Sequence, residues 1–380
     1  MNFKIPFNKP FYTEKSYLYL ENLIRRGTTG EGREYYKKCT NWLNLNHKIK
    51  HSIITHSCTG SLEIAALLLN IQEGDEIILP SYTFLSTASA FTLRGAKLVF
   101  ADIREFDLNI DHNKISQLIT KKTKAIIVVH YAGISCDMDN INKLAKEKNL
   151  LVIEDAAQSI MCEYKNKPCG SLGNIGCLSF HETKNIQCGK GGGLLINDEN
   201  FKHRAEIISS KGTNRDDFIK GKIDKYTWIE NGSSYKATEL SCALLFSQLE
   251  NANMIIYERI SLWNYYYSSF SKLNNKNKFN LPNIPNYAKH NGHIFYIILD
   301  NNICREKFLY NLKAKGIEAS FHYIPLHNSP FGSKASKENY SLPITDKVSS
   351  SIVRFPLWYG LKKIEIEFIA ETVDKILREF

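Results

Sequence analysis

The stretch VIEDAAQ, residues 152–158, places a carboxylate where a short apolar run ends. The run that leads into it, residues 150–154, is almost continuously apolar, as is typical of a strand buried on both faces of a parallel sheet. Asp155 would then lie at the carboxyl end of that strand. Because open parallel sheets bind ligands at this edge, the stretch predicts an α/β fold and the place of its functional groups.

Short apolar runs alternate with helical patterns on both sides of this stretch. Strands are predicted at 52–55, 76–80, 97–101, 125–130, 150–154, 176–180 and 193–197. Helices are predicted at 61–70, 84–94, 113–119 and 138–148. Alternation of strand and helix indicates right-handed crossovers and a mostly parallel sheet covered on both faces.

The C-terminal third has a different pattern. Residues 237–271 contain no Gly or Pro and predict one long helix that connects two domains. The elements predicted after it are a linker at 281–287, a strand at 293–299 and helices at 305–315 and 364–378. A chain of 380 residues is long enough for two cores. We therefore expect a large domain over residues 1–250, with an N-terminal arm, and a small α+β domain over 251–380.

Composition and charge exclude several classes of protein. The chain is 43% hydrophobic and 23% charged, which is ordinary for a globular protein. A net charge of +10 would attract an anion such as a nucleotide diphosphate. The basic residues are scattered rather than interleaved with aromatics, so nucleic acid is not predicted as a partner. Nine cysteines without a CxxC pair argue against a disulfide framework and a zinc site.

The N-terminus lacks the apolar core of a signal peptide, and no apolar run approaches the roughly 18 residues of a membrane span. We expect a cytoplasmic protein that does not contact membranes.

The turn THSCTGSLE, residues 55–63, follows a predicted strand and opens a helix. Backbone N–H groups of Thr59, Gly60 and Ser61, with the positive helix end behind them, would form a phosphate cradle. An ordinary N-cap by Thr59 or Ser61 is the alternative, and the turn by itself favours it.

Asp155 would be partly desolvated and would need a cationic partner. A protonated pyridine nitrogen is one such partner, and a charged ring nitrogen serves the chemistry of pyridoxal phosphate (PLP). Gln158, one helical turn on, would reach the phenolic oxygen of that ring. An Asp155 that caps the next helix fits the same pattern equally well.

Lys184, in SFHETKN at residues 179–185, follows a predicted strand and precedes a Gly-rich turn. A desolvated lysine has a lowered pKa and is a nucleophile toward an aldehyde. A surface loop lysine is the alternative, since most lysines are exposed. The glycines at 191–193 lack the Lys-Ser/Thr and the helix of a P-loop. Together, the phosphate turn, Asp155 with Gln158, and Ser179 with Lys184 form the set that a PLP enzyme of the aspartate-aminotransferase fold requires.

Longer motifs carry a family resemblance. They lie at residues 57–69, 80–91, 93–103, 129–139, 152–158, 179–185, 211–228, 321–327 and 354–361. Over essentially its whole length the sequence resembles the DegT/DnrJ/EryC1/StrS family of sugar aminotransferases, most of all the branch that makes dTDP-4-amino-4,6-dideoxygalactose. The resemblance implies an aspartate-aminotransferase-like α/β fold (fold type I), with a mostly parallel sheet in the large domain.

The resemblance also implies roles for single residues. Lys184 matches the lysine that holds PLP as a Schiff base. The implied cofactor contacts are Asp155 for the ring nitrogen, Gln158 for the phenolic oxygen, Phe84 for the ring face, and Thr59, Gly60 and Ser179 for the phosphate. Ser234 stands where many members place an Asn that reaches the phosphate of the partner subunit, and Lys236 stands where Arg is usual. Both departures weaken the expectation of that contact across the dimer.

The segment FHYIPLH, residues 321–327, matches one that lines the active site in the family. It makes His322, Tyr323 and His327 candidates for substrate binding, with a purely structural turn at Pro325 as the alternative. Arg215, in the motif GTNR, is a candidate for the diphosphate of a sugar nucleotide.

The implied reaction moves an amino group from glutamate to dTDP-4-keto-6-deoxyglucose in a homodimer, for a surface polysaccharide such as O-antigen or enterobacterial common antigen. Amination at C3, or the opposite stereochemistry at C4, remains open. A related PLP sugar dehydratase would replace the lysine by histidine, and Lys184 argues against it although His181 is near. A non-catalytic protein that binds nucleotide sugars is the alternative from another class.

Overall fold

The computed structural model describes residues 4–273, 278–336 and 340–380. The strands in these ranges are β1 His51–Thr55, β2 Glu76–Pro80, β3 Lys97–Ala101, β4 Thr123–Val129, β5 Leu151–Asp155, β6 Glu163–Tyr164, β7 Lys167–Pro168, β8 Ile175–Ser179, β9 Gly192–Ile196, β10 Phe279–Asn280, β11 Ala288–Lys289, β12 Phe295–Leu299 and β13 Ile352–Phe355. The α-helices are α1 Glu14–Arg26, α2 Glu34–His47, α3 Cys58–Leu68, α4 Ser86–Thr92, α5 His112–Ile115, α6 Met138–Glu147, α7 Lys202–Ser209, α8 Arg215–Ile219, α9 Glu239–Leu249, α10 Ala252–Leu273, α11 Arg305–Ala314, α12 Pro330–Ala335, α13 Pro343–Ser351 and α14 Lys363–Leu377.

Seven strands form the large sheet, in the order β1-β9-β8-β5-β4-β2-β3. The pairs within β3-β2-β4-β5-β8 are parallel, and β9 is antiparallel to both of its neighbours. β9 runs backwards because no helix crosses over between it and β8. The predicted mostly parallel sheet is thus confirmed. Since β1, β2, β4, β5 and β8 point the same way, their carboxyl ends meet at one edge.

A smaller antiparallel sheet, β10-β12-β13, lies in the C-terminal part of the chain. Its core is aromatic, because the Phe295 ring lies 4.7 Å from that of Tyr266, 5.3 Å from that of Phe270 and 6.3 Å from that of Phe355. The apolar cluster around these rings includes residues of α10, α11 and α14. This separate core supports our proposal to divide the chain near residue 250.

The predicted single helix over 237–271 is wrong, because the chain forms two helices, α9 and α10. The break lies at Asn251, whose side-chain amide donates to the Ser247 carbonyl at 2.9 Å. The backbone N–H of Asn251 bonds to Gln248 instead, three residues back. A short polar side chain thus competes with the helical hydrogen-bond pattern where no Gly or Pro marks a break.

Two N-terminal helices, α1 and α2, were not predicted. Thr13 caps α1, and its reciprocal partner is Ser16 rather than the usual Glu or Gln, so the start signal is weak. Both helices pack against α9, more than 200 residues away, and that packing stabilises them. None of the helices that the structure describes combines the length and the hydropathy needed to span a membrane.

The aromatic core predicts the effect of a truncation on stability. Phe295→Ala should lower the free energy of unfolding of the C-terminal part by about 3–5 kcal/mol, through lost contacts and a residual cavity. Urea unfolding followed by tryptophan fluorescence would measure it, because the Trp263 ring lies 5.7 Å from that of Phe295. The control is Tyr310→Ala, at a side chain that is 71% exposed, which should cost about 0.5 kcal/mol or less. Equal losses in the two variants would contradict the packing argument.

Candidate active site

A cavity of about 370 Å³ lies where the parallel strands end. β5 contributes Asp155, and β8 contributes Ser179 and the turn that carries Lys184. The C-terminal sheet contributes Arg354, and the N-terminal segment contributes Phe7. The cavity therefore brings together residues from the full length of the chain.

Asp155 is a buried carboxylate, only 5% exposed, that ends β5. It accepts hydrogen bonds from the Thr87 hydroxyl at 2.6 Å and from the Ala157 N–H at 3.1 Å. It makes no ion pair with any residue that the structure describes. Burial raises its pKa, and the two hydrogen bonds partly oppose that shift. A cation bound beside it would therefore be strongly stabilised.

Gln158 holds Tyr323 in the cavity wall. Its carbonyl oxygen accepts from the Ala132 N–H at 2.7 Å, and its amide donates to the Tyr323 hydroxyl at 2.9 Å. The Tyr323 ring stacks on that of His322, with centroids 3.9 Å apart. Burial raises the pKa of Tyr323 and lowers that of His322, so both side chains are neutral at neutral pH.

Lys184 lies in the turn after β8, where its N–H donates to the His181 carbonyl. Its amine lines the cavity and has no hydrogen bond or ion pair with the described residues. Burial lowers its pKa, while the Asp155 charge has a smaller, opposite effect. The structure thus places a poorly solvated, unpaired amine in the same cavity as the buried carboxylate.

Neither Thr59 nor Ser61 caps the helix that follows the turn at 55–63. Ser57 is the N-cap of α3, and its hydroxyl accepts from the Gly60 N–H at 3.1 Å. Ser61 faces inward and bonds to Thr55 at 2.8 Å. A Cβ on Gly60 would lie 3.1 Å from the rings of His56 and Tyr235, so this position needs a small residue. Thr59 lines the cavity and donates to Ser86 at 2.9 Å.

Ser179 and Phe84 also line the cavity. Ser179 ends β8 and is 8% exposed. Phe84 precedes α4, is 54% exposed and lies with its ring centroid 6.5 Å from that of Tyr323. An aromatic face at the cavity mouth suits a planar ligand.

Four predicted site residues do not line the described cavity: Gly60, whose N–H donates to Ser57, and three that lie on other parts of the chain. His327 is held by the Ser81 hydroxyl at 2.7 Å and by Asp346 at 3.3 Å. Arg215 begins α8 and pairs with Glu31 at 3.2 Å, and Ser234 is exposed and pairs with Ser210 in an isolated bridge. None of the three lines the cavity that is formed by residues 4–273, 278–336 and 340–380. Lys236, one of the two departures from the family, pairs with Asp216 at 2.7 Å.

The sequence analysis missed several groups of the site. Thr87 lies within a motif that was quoted only for its family resemblance, and Arg354 opens another such motif. Phe7 and His293 were not predicted as site residues, because neither lies in a motif that indicates chemistry; His293 only opens the predicted strand at 293–299. Hydroxyl-rich segments after a predicted strand were the one available sign, and PSYTFLST at 80–87 is such a segment.

Comparisons with known proteins agree with this architecture. The profile of the DegT/DnrJ/EryC1/StrS aminotransferase family matches residues 13–374. The uncharacterized protein MJ1066 of Methanocaldococcus jannaschii is 33% identical over 337 residues, which cover 87% of this chain and 86% of that protein.

Solved structures share the fold over nearly every residue. PseC of Helicobacter pylori, an aminotransferase involved in the biosynthesis of pseudoaminic acid, has a TM-score of 0.91 at 24% identity and covers 99% of this chain and 100% of its own. Spr1654 of Streptococcus pneumoniae, in its PMP-form, has a TM-score of 0.92 at 23% identity, with the same coverage. Its PLP-form has a TM-score of 0.91 at 22% identity and covers 99% of each chain. The predicted fold type I architecture is confirmed.

The buried carboxylate predicts a pH-dependent stability. A pKa above its value in the unfolded chain, about 3.9 for Asp, means that Asp155 contributes stability at low pH and loses it as pH rises through the folded-state pKa. Ligand-free Asp155→Asn protein should therefore melt above wild type at pH 8, and the difference in melting temperature should narrow as the pH falls through the folded-state pKa toward about 3.9. Circular dichroism would follow the melting.

The matched variant is Thr87→Val, which removes a hydrogen bond to the ionised carboxylate. It should melt below wild type, most clearly at pH 8. Gaps that do not change with pH would show that the charge of Asp155 does not control this stability.

Proposed function

This chain belongs to the DegT/DnrJ/EryC1/StrS aminotransferase family, and we propose that it transfers an amino group from glutamate to the 4-keto group of a nucleotide-linked 6-deoxysugar, with PLP as cofactor. One observation carries the proposal. A half-buried lysine amine without a described partner and a buried carboxylate without a described ion pair line a single cavity at the carboxyl edge of a parallel sheet.

The groups of the cavity fit PLP. Its ring nitrogen would give Asp155 the cationic partner that the structure does not otherwise supply, and its aldehyde would meet the Lys184 amine. Thr59 and Ser179 offer hydroxyls for the phosphate at the N-terminal end of α3, where the helix dipole favours an anion. When bound, PLP supplies an electron sink for the negative charge that develops at the carbon bearing the amine.

Lys184 is the group that would move protons. Burial lowers the pKa of its Nζ, which therefore gives up its proton more readily than an exposed lysine and can take the proton from the α-carbon of the amino donor. The same amine can return a proton to the sugar carbon in the second half of the reaction. Among the titratable groups described around it, His293 and His322 also have lowered pKa values and add no competing charge.

Thr87 and Ala157 favour the ionised form of Asp155 by donating to its two oxygens, because hydrogen bonds to the charged form oppose desolvation. The Gln158 amide donates to the Tyr323 hydroxyl and so fixes the position of that hydroxyl in the cavity wall. These positions are set before any ligand enters, as electrostatic stabilisation of a transition state requires.

The acceptor that we propose is dTDP-4-keto-6-deoxyglucose, giving dTDP-4-amino-4,6-dideoxygalactose for a surface polysaccharide such as O-antigen or enterobacterial common antigen. The net charge of +10 favours a diphosphate-bearing substrate. His322 and Tyr323 are the proposed substrate contacts within the cavity. An aminotransferase that acts at C3, or one of opposite stereochemistry at C4, would use the same groups. Product analysis distinguishes these reactions from the one that we propose.

We also propose that the protein acts as a homodimer in the cytoplasm. Five apolar side chains, each at least 43% exposed, lie between residues 218 and 229: Phe218, Ile219, Tyr226, Trp228 and Ile229. Such a concentration is typical of an interface. Arg215 and Ser234, which lie outside this chain's cavity, flank these exposed apolar residues in the sequence. They would serve the site of a second copy.

Reductive labelling tests the cofactor proposal. After PLP loading and borohydride reduction, mass spectrometry should find the cofactor on the peptide that contains Lys184. Lys184→Ala should abolish that label and lower turnover by about 10²- to 10⁴-fold. Lys190→Ala is the matched variant, because Lys190 lines the same cavity but is exposed, and the label should stay on Lys184. A colourless protein that takes up no PLP would favour the non-catalytic alternative.

Product analysis tests the acceptor. Incubation with ¹⁵N-glutamate and dTDP-4-keto-6-deoxyglucose should give a ¹⁵N-labelled amine at C4 of the sugar, with an axial orientation by proton NMR, and one 2-oxoglutarate for each amine. An equatorial amine would establish the opposite stereochemistry. Turnover of a 3-keto sugar in place of the 4-keto sugar would establish amination at C3.

A further inference from the structure

The cavity contains a guanidinium that has no side-chain hydrogen bond or ion pair with the described residues. Arg354 lies on β13, and its side chain lines the cavity together with Lys184 and Asp155. Its Nε is shielded from solvent and has no hydrogen-bond partner in the described part of the chain. No described carboxylate lies within ion-pair distance of it. A buried donor left in this way is costly, and more so when it is charged, so the site is completed by an anion.

The groups around Arg354 do not supply that anion. Its guanidinium carbon lies 4.8 Å from the centre of the Phe7 ring, which carries no negative charge. Tyr131 and Tyr323 influence its pKa most among its neighbours, but burial raises the pKa of both phenols, so they are neutral. His293 and His322 are neutral as well. Asp155 lies beyond ion-pair distance of Arg354, and in the proposed function it faces the ring nitrogen of PLP.

The place of Arg354 selects among the anions of the reaction. Arg354 and Lys184 line the same cavity, and the positive charge of Arg354 adds to the burial that lowers the pKa of Lys184. Of the residues that the family resemblance assigns to phosphate, Thr59 lies on α3 and Ser179 ends β8 of the large sheet, and neither lies on β13. The diphosphate of a sugar nucleotide is separated from the reacting C4 by the width of the sugar ring. The α-carboxylate of an amino acid is one bond from the carbon that carries the amine.

We propose that Arg354 binds the α-carboxylate of the amino donor, an inference that rests on the proposed aminotransferase function. The planar guanidinium can donate two parallel hydrogen bonds to a carboxylate, and this pair would hold the α-carbon toward Lys184. The keto sugar has no carboxylate. Arg354 is therefore specific for the first half of the reaction, and one cavity accepts two unlike substrates in turn.

The test resolves the two halves on the PLP-loaded protein by single-turnover absorbance. Arg354→Gln should lower the second-order rate constant for glutamate by about 100-fold. The reaction of the pyridoxamine phosphate form with the keto sugar should change by less than about 3-fold. The rate constant of Arg354→Lys for glutamate should lie between those of the wild type and Arg354→Gln. The control is Arg25→Gln, at a guanidinium that is 74% exposed and paired with Glu21, and it should leave both halves unchanged.

Binding without turnover gives a second measurement. 2-Methylglutamate lacks the α-proton, and its Kd by calorimetry should rise by about 100-fold in Arg354→Gln. With the wild-type protein, isoglutamine, whose α-carboxylate is an amide, should react about 100-fold more slowly than glutamate. Arg354→Gln should cause no further loss with isoglutamine. This substrate comparison decides the matter even if Arg354→Gln does not fold.

Three outcomes would overturn the role of Arg354 alone. Arg354→Gln could slow both half-reactions equally, or it could leave the rate constant for glutamate unchanged. The third outcome is a wild-type protein that reacts slowly with glutamine, whose side-chain carboxylate is an amide, but normally with isoglutamine. The last would assign the residue to the side-chain carboxylate. A wild-type protein that binds PLP but reacts with neither glutamate nor a keto sugar would instead overturn the proposed function.

Discussion

The hydrogen bonds at the end of β5 organise the whole site, because adjacent residues there serve opposite faces of the sheet. Asp155 faces the cavity and is held by Thr87 and Ala157. Glu154 faces the other side, where it accepts from the N–H groups of Gly170, Leu172 and Gly173 and pairs with His130 at 2.8 Å. That second set fixes the loop that leads into β8, the strand that carries Ser179 and then Lys184. One strand end thus sets the place of both the carboxylate and the amine.

Charge is the second organising feature. The described groups of the cavity include one carboxylate, Asp155, against four basic residues: Lys184, Lys190, Arg259 and Arg354. Burial lowers the pKa of Arg259 to about 9, and its guanidinium donates to the carbonyls of Gly292 and His293. A cavity with this excess of positive charge, in a low-dielectric setting, is preorganised for anionic ligands. PLP, an amino acid and a sugar nucleotide are all anions, which fits the reaction that we propose.

The C-terminal part closes the cavity by contacts that join distant segments. Asp102, which follows β3, accepts from the Thr345 N–H at 2.9 Å and so caps the start of α13. The N-terminal segment bridges both parts, since the Phe7 N–H donates to Glu318 at 2.8 Å and the Asn8 amide donates to the Glu182 carbonyl at 3.2 Å. These contacts hold Phe7 against Arg354 and bring the small sheet to the edge of the large one.

The sequence by itself determined the α/β class, the seven strands of the large sheet, and the appearance of Asp155, Gln158, Ser179 and Lys184 at strand ends. These follow from local patterns, since buried strands are continuously apolar and parallel strands end at a common edge. Only tertiary contacts explain why His322 lines the cavity while His327, five residues later, is hydrogen-bonded to Ser81 instead. Tertiary structure also decided the break at Asn251 and the meeting of Phe7, Thr87 and Arg354. The physical reason is that these outcomes depend on contacts between residues up to about 350 positions apart, whose energies no local pattern encodes.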